Sequence, residues 1–480
     1  MPRSRIIALP LVAALTLAGC DLSPRYVRPA LPVPPALPTG PAYPATDAAT
    51  GTHAVPADIA WRDFFTDPAL REVIALALAN NRDLRVAVAN VAQARAQYRV
   101  QRADLLPTIA ASGSATYQKS SVASLGLNDP AAVAGIDRRS DVYSAQIGLS
   151  SWEIDLFGRV RNLTREAFEN YLASEAARNA AQVSLIAEVA NAYLTLAADR
   201  DGLQVARSTM EAYGQTLELT RQRFRLGVSS ELDVRQAQTS YDDARAQIAL
   251  KTTLVAQDLN ALTLLAGAPV PEHLLPSGLQ ADGATIARLP ADLPSEVLLR
   301  RPDIAEAEHR LRAANADIGA ARAAFFPNIS LTAALGSISL GLANLFAQGN
   351  GAWSVAPSAS QTLFDFGRNK GNLRYSQASR DAAVAQYEKA VQTGFREVAD
   401  ALARRGTITD QIEAQSSLRD AASAAYRLSE ARFRTGIDPF LTTLDSQRAL
   451  YVAQQNLIAT RLTAQTNLVE LYRSLGGGLK

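Results

Sequence analysis

Pro327-Asn328-Ile329-Ser330-Leu331-Thr332-Ala333-Ala334-Leu335-Gly336 alternates between two kinds of side chain. Ile329, Leu331, Ala333 and Leu335 are apolar, and Asn328, Ser330 and Thr332 stand between them. Trp353, Val355, Ala359 and Leu363 make a second apolar set, with Ser354, Ser358 and Ser360 opposite. A period of two marks a β-strand. From Ala323 to Phe364 no residue is charged, and Pro327, Gly336, Gly341, Gly349, Gly351 and Pro357 rule out a transmembrane helix there. Apolar residues outward and small polar residues inward, over about ten positions, are the pattern of a membrane β-barrel strand. The competing reading is a soluble hairpin with one buried face. Such a hairpin carries charge on its wet face, and these strands nearly lack it.

The same layout stands upstream, at about 107–118 and 141–156. Tyr143, Ala145, Ile147 and Leu149 line one side there, and Ser144, Gln146 and Gly148 the other. Two hairpins give four strands per chain. Bacterial barrels begin at about eight strands, and lipid does not tolerate open sheet edges. The membrane reading therefore predicts an obligate oligomer whose copies share one barrel wall.

The hairpins belong to a repeat that covers most of the chain. Asn81-Arg82-Asp83-Leu84 returns as Arg301-Pro302-Asp303-Ile304, and Arg102 to Pro107 returns as Arg322 to Pro327, both 220 positions on. Phe157-Gly158-Arg159 returns as Phe366-Gly367-Arg368, and Arg223-Phe224-Arg225-Leu226-Gly227 as Arg432-Phe433-Arg434-Thr435-Gly436, both 209 positions on. A long internal repeat without a catalytic motif points to architecture.

Helices fill the rest of each copy. Asp67-Pro68 reads as an N-cap followed by proline, opening a helix that runs to about Leu106. A helix from about Arg159 to Leu226 spans about 100 Å at 1.5 Å per residue. The next begins after Ser229-Ser230, with Glu231 and Asp233 in its first turn, and ends near Gly267. The second copy predicts helices at about Arg301–Phe326, Gly367–Thr435 and Phe440–Leu475. Val183, Ile186, Ala190, Tyr193 and Ala197 form one heptad seam, and Leu185, Val189, Ala192 and Leu196 a second beside it. Two seams on one helix suit packing against two neighbours in a closed bundle.

The N-terminus is a targeting segment. Arg3 and Arg5 precede an apolar run from Ile6 to Ala18 that ends in Leu17-Ala18-Gly19-Cys20, too short to span a bilayer as a mature helix. This is the lipobox of bacterial lipoproteins, with Cys20 as the acylated residue. Cys20 is the only cysteine, so an intrachain disulfide and a cysteine zinc cluster are excluded. The proline-rich segment that follows reads as an extended tether. The expected organisation is a signal peptide at 1–19, a lipidated tether at 20–60, a first repeat at 61–266, a linker at 267–296, a second repeat at 297–475 and a tail at 476–480. The formal net charge of +2 gives no electrostatic case for nucleic acid.

The lipobox, the Trp61-Arg62-Asp63-Phe64-Phe65-Thr66-Asp67-Pro68 opening, Arg301-Pro302-Asp303-Ile304, Phe364-Asp365-Phe366-Gly367-Arg368 and Leu444-Asp445-Ser446-Gln447-Arg448 together resemble the outer-membrane factors of efflux systems. These are the TolC-like lipoproteins that work with resistance-nodulation-division pumps, and the resemblance covers essentially the whole mature chain. It implies a homotrimer: a twelve-stranded outer-membrane β-barrel continued by an α-helical periplasmic tunnel, a membrane α+β architecture with four strands per chain. It implies docking to a periplasmic adaptor and an inner-membrane pump, and it places 267–296 and the tail in an equatorial belt. The implied function is a passive duct exporting small molecules. A type I protein-secretion duct and a lipid-anchored coiled-coil scaffold without a pore remain as alternatives. Asp21 follows the acylated cysteine, and in enteric bacteria aspartate there can signal retention in the inner membrane.

No nucleophile–base–acid set stands out, so no catalytic residues are expected. His53, His273 and His309 lack motif partners, and Met1 and Met210 are the only methionines, so neither a metal nor any cofactor beyond the lipid on Cys20 is expected. The resemblance implies a gate at the turn between the last two helices. Leu441 would form an apolar ring, Asp445 a carboxylate ring, and Arg448 would hold the closed state through ion pairs. Read without the resemblance, Asp445 and Arg448 are an exposed i,i+3 pair. Asp233 is a gate-adjacent candidate. Phe433 stands where some relatives carry a hydrogen-bonding tyrosine. With the 209 offset Asp445 aligns with Gln236 and Leu441 with Leu232, so three chains would supply three carboxylates at that level. A carboxylate ring favours cations over anions.

Overall fold

The computed structural model describes residues 21–43, 59–119, 139–279 and 295–479. Cys20 and the signal peptide lie outside them, as do 44–58 of the tether with His53, 280–294 of the linker, the connection 120–138 of the first hairpin, and residue 480. Contacts divide the chain into two compact units. One holds the segment ending at Arg28 together with Ala92–Ala173 and Glu308–Ala385, and the other holds the described parts of Pro29–Val91, Ser174–Ala307 and Gln386–Lys480.

The first unit carries an antiparallel sheet of β1 (Ile109–Lys119), β2 (Arg139–Glu153), β3 (Asn328–Ser339) and β4 (Gly351–Ser360), in the order β1-β2-β3-β4. The register sorts the side chains by chemistry. Ala111 lies opposite Ile147, Ile147 opposite Leu335, and Leu335 opposite Trp353. Paired residues share a face, so the three apolar sets lie on one surface. The other face pairs Ser114 with Ser144 and Ser330 with Ser358, each with hydroxyl oxygens 2.8 Å apart. Leu363 lies beyond the end of β4, so it does not belong to the strand pattern expected of it. The register slips between Leu149 and Trp152, where Ser151 takes φ 49°. Such a bulge adds twist to a sheet. β1 pairs only with β2 and β4 only with β3, so each leaves one edge of backbone donors and acceptors open.

The sheet is flanked in sequence by α3 (Arg82–Ala103), α4 (Arg159–Arg225), α6 (Pro302–Ala323) and α7 (Arg368–Arg434). An aspartate precedes each long helix and binds its free N–H groups: Asp155 accepts from Arg161 N at 2.8 Å, and Asp365 from Gly367 N at 2.9 Å and Asn369 N at 2.8 Å. These acceptors satisfy donors that a helix start leaves orphaned. Residues 21–28, with Pro24 among them, contain no helix, but they do not hang free. Asp21 accepts hydrogen bonds from Asn162 Nδ2 at 3.1 Å and Arg165 Nη1 at 2.8 Å. Asn315 and Arg322 of α6 donate to the carbonyls of Pro24 and Leu22. Glu308 of α6 pairs with Arg28 at 3.0 Å.

The second unit holds the largest core. Trp61 and Phe64 of α1 (Trp61–Phe64), with Phe65, meet Leu70, Val73 and Ile74 of α2 (Pro68–Asn80) and Ile186, Val189 and Tyr193 of α4. Tyr472 of α8 (Phe440–Ser474) stacks on Phe64 with ring centroids 3.9 Å apart and donates to the carbonyl of Ile59 at 2.7 Å. Both heptad seams of α4 point into buried surroundings, Val183, Ile186, Ala190, Tyr193 and Ala197 among them. The helix expected from Pro68 to Leu106 is two helices. Asn81 sits extended between α2 and α3, its Oδ1 accepts from Leu84 N at 2.8 Å, and its Nδ2 donates to Leu265 O at 3.0 Å. A side chain that caps the next helix and ties down the end of α5 (Glu231–Ala266) outweighs helical continuity there. Arg301, the repeat counterpart of Asn81, does comparable work while buried, with Nη bonds to Asp303, Glu397 and Ser474 O.

Candidate periplasmic gate

Two turns in the second unit end the long helices, and they share one backbone design. Gly227 and Gly436 have φ of 76° and 81°, a left-handed conformation that glycine adopts without penalty. After α4, Gly227 N donates to Phe224 O at 2.9 Å and Val228 N to Arg223 O at 3.0 Å. After α7, Gly436 N donates to Phe433 O at 3.0 Å and Ile437 N to Arg432 O at 2.9 Å. Both are Schellman closures that satisfy the last carbonyls of a helix.

The side chains then differ. In the first turn Ser230 caps α5 through a capping box. Its Oγ accepts from Asp233 N at 3.1 Å, and Asp233 Oδ2 accepts from Ser230 N and the Ser229 hydroxyl, each at 2.9 Å. Partial burial alone would raise the Asp233 pKa, but these bonds outweigh it and hold it below the usual carboxylate value. In the second turn Pro439 occupies the N-cap of α8 and offers no side-chain acceptor. Asp438 instead accepts two bonds from the Arg432 guanidinium, at 2.7 and 2.8 Å, which lower its pKa.

Phe433 is 3% exposed and packs against Phe440 at 5.7 Å, in a cluster with Tyr213, Leu217, Ala237 and Leu444. Position 433 itself carries no phenol, and its ring serves as core. On α8, Thr443, Leu444 and Gln447 are buried. Thr443 donates to Ser429 O at 3.1 Å and Gln447 to the Tyr426 hydroxyl at 3.3 Å, which fixes this face against α7. Leu441, 51% exposed, and Asp445 therefore stand one turn apart on the opposite, open face. Asp445 has no bonded partner among the described residues. Arg448 does not form the expected ion pair with Asp445. Its Nη2 donates to Ser240 Oγ of α5 at 3.2 Å, so it ties α8 to the first copy. Ser240 and Arg223 escape a motif reading, because nothing in their local spacing marks partners two hundred positions away.

The arrangement leaves an apolar side chain and a carboxylate exposed one turn apart on the same face, braced from behind by buried polar contacts. Comparison with known proteins then supplies the wider setting. A family model described as outer membrane efflux protein matches residues 73–268 and 293–477, one match for each copy of the repeat. The toluene efflux pump outer membrane protein TtgC of Pseudomonas putida is 48% identical over 469 residues, covering 97% of this chain and 94% of that protein. Outer membrane protein OprJ of Pseudomonas aeruginosa is 39% identical over 470 residues, covering 98% and 95%. The open state of the Neisseria gonorrhoeae MtrE outer membrane channel superposes with a TM-score of 0.83 at 37% identity, covering 96% of this chain and 99% of that one.

Proposed function

The chain belongs to the outer membrane efflux protein family, and from that membership we propose a passive efflux duct whose periplasmic entrance is closed by Leu441, Asp445 and Arg448. The protein is an outer-membrane channel component of an efflux pump, with a trimeric barrel continued by helices. In this reading three copies join β1 of one to β4 of the next, which satisfies the open sheet edges. A periplasmic adaptor and an inner-membrane resistance-nodulation-division pump complete the system and supply its energy. Cys20 carries the acyl anchor; metabolic labelling with palmitate that persists in Cys20→Ser would contradict this. The family description and the name of TtgC both specify efflux, which favours small-molecule export over protein secretion.

The observation that carries the gate is the division of α8 into two faces. Leu444 and Gln447 are buried on the side facing α7, while Leu441 is half exposed and Asp445 is exposed without a bonded partner among the described residues. Three Asp445 carboxylates at one level would attract cations and hinder anions, and three Leu441 side chains would narrow the same entrance. Arg448 braces the closed position through Ser240. The test is Asp445→Ala combined with Arg448→Ala in planar bilayers. A raised single-channel conductance is expected, and an unchanged one would count against the gate.

A further inference from the structure

We propose that Arg223 is a positioning residue of this gate, a clasp by which the first turn of the chain holds the second in its closed position. The inference rests on the gate reading above and goes beyond it. Arg223 Nη1 donates to the carbonyl of Phe433 at 2.9 Å, and the guanidinium lies 4.7 Å from the centroid of the Phe433 ring. One side chain from the end of α4 thus grips both the backbone and the ring of a residue at the end of α7. The gripped carbonyl also closes the second turn, since it accepts from Gly436 N at 3.0 Å. A cation suits that place, because the last carbonyls of a helix carry its negative end.

The repeat explains why Arg223 reaches across. With the 209 offset it aligns with Arg432, and Ser229 aligns with Asp438. Arg432 is satisfied within its own turn by the Asp438 carboxylate. Arg223 has a serine in that place. The nearest carboxylate on its own turn, Asp233, already accepts from Ser229 and Ser230. No carboxylate lies within ion-pair distance of Arg223 among the described residues. Arg223 acts on Asp233 only through its charge, without an ion pair; its Nη1 donates to the other turn, and its Nε is buried and unbonded. Any swing of the α7–α8 tip away from α4 must break both the hydrogen bond and the cation–π contact.

The test uses full-length trimers in planar bilayers. Arg223→Ala is expected to raise single-channel conductance severalfold while heat-resistant trimers persist, and Arg223→Lys, which can donate but stacks poorly, should restore part of the closure. The second variant keeps the arginine and transplants the other turn's chemistry, Ser229→Asp with Asp233→Thr, so that Arg223 is recaptured locally. It should raise conductance as Arg223→Ala does, while Ser229→Ala should leave it near the wild-type value. Wild-type conductance in either Arg223→Ala or the transplant overturns the proposal. Asp445→Ala measured alongside separates the two levels: if it opens the channel and the Arg223 variants do not, the clasp falls and the gate stands.

Discussion

The two copies of the repeat end their long helices with the same backbone and opposite fastenings. The first turn closes on itself through Ser230 and Asp233 and sends Arg223 outward. The second turn closes through Arg432 and Asp438 and leaves Leu441 and Asp445 open. The glycines, their dihedral angles and their closing hydrogen bonds match. Duplication therefore preserved what the backbone requires and freed the side chains to differ; in the proposed gate, one copy braces and the other obstructs.

The sharpest way to break this comparison is at the paired phenylalanines. Phe433 is buried in the inter-turn cluster, whereas its counterpart Phe224 is 44% exposed. Truncating a buried Phe costs about 3–5 kcal/mol, and a half-exposed one far less. Phe433→Ala should sharply lower the temperature at which trimers dissociate in detergent, and Phe224→Ala should barely move it. Equal losses would mean that the copies share the packing load.

The sheet supplies the opposite case, in which the copies should behave alike. Ile147 of the first and Leu335 of the second face each other in register on the apolar surface. Arginine at a lipid-facing midplane position costs roughly 2–4 kcal/mol. Ile147→Arg and Leu335→Arg should deplete assembled protein from outer-membrane fractions to the same degree. Ser144→Arg, on the polar face, should assemble almost normally. A tolerated Leu335→Arg would reverse the assignment of the two faces.

Most of this plan can be read from the chain itself because it is written in strong local signals. Gly227, Gly267 and Gly436 end helices where only a left-handed residue fits, and the period-two pattern assigns both sheet faces. Asn81 shows where such reading stops: no proline or glycine announces the break, which comes from its tertiary bond to Leu265 O. The side-chain placement at the candidate gate is legible in part. Leu441 and Asp445 lie on the face their spacing gives them, but the partner of Arg448 is Ser240, on another helix 208 positions away. An i,i+3 spacing makes an ion pair available and cannot decide against a competing long-range partner. The docking of residues 21–28 was hidden for the same reason, since proline content predicts an extended chain and says nothing of what it lies against.

The division of labour between the copies is tested most directly by ion selectivity. Asp445→Asn and Gln236→Ala occupy matching positions in the repeat and can be measured side by side as reversal potentials across a salt gradient. If the second copy alone supplies the entrance carboxylates, Asp445→Asn shifts the reversal potential away from cation preference and Gln236→Ala leaves it at the wild-type value. An unshifted potential in Asp445→Asn, or an equal shift in both, would contradict the account.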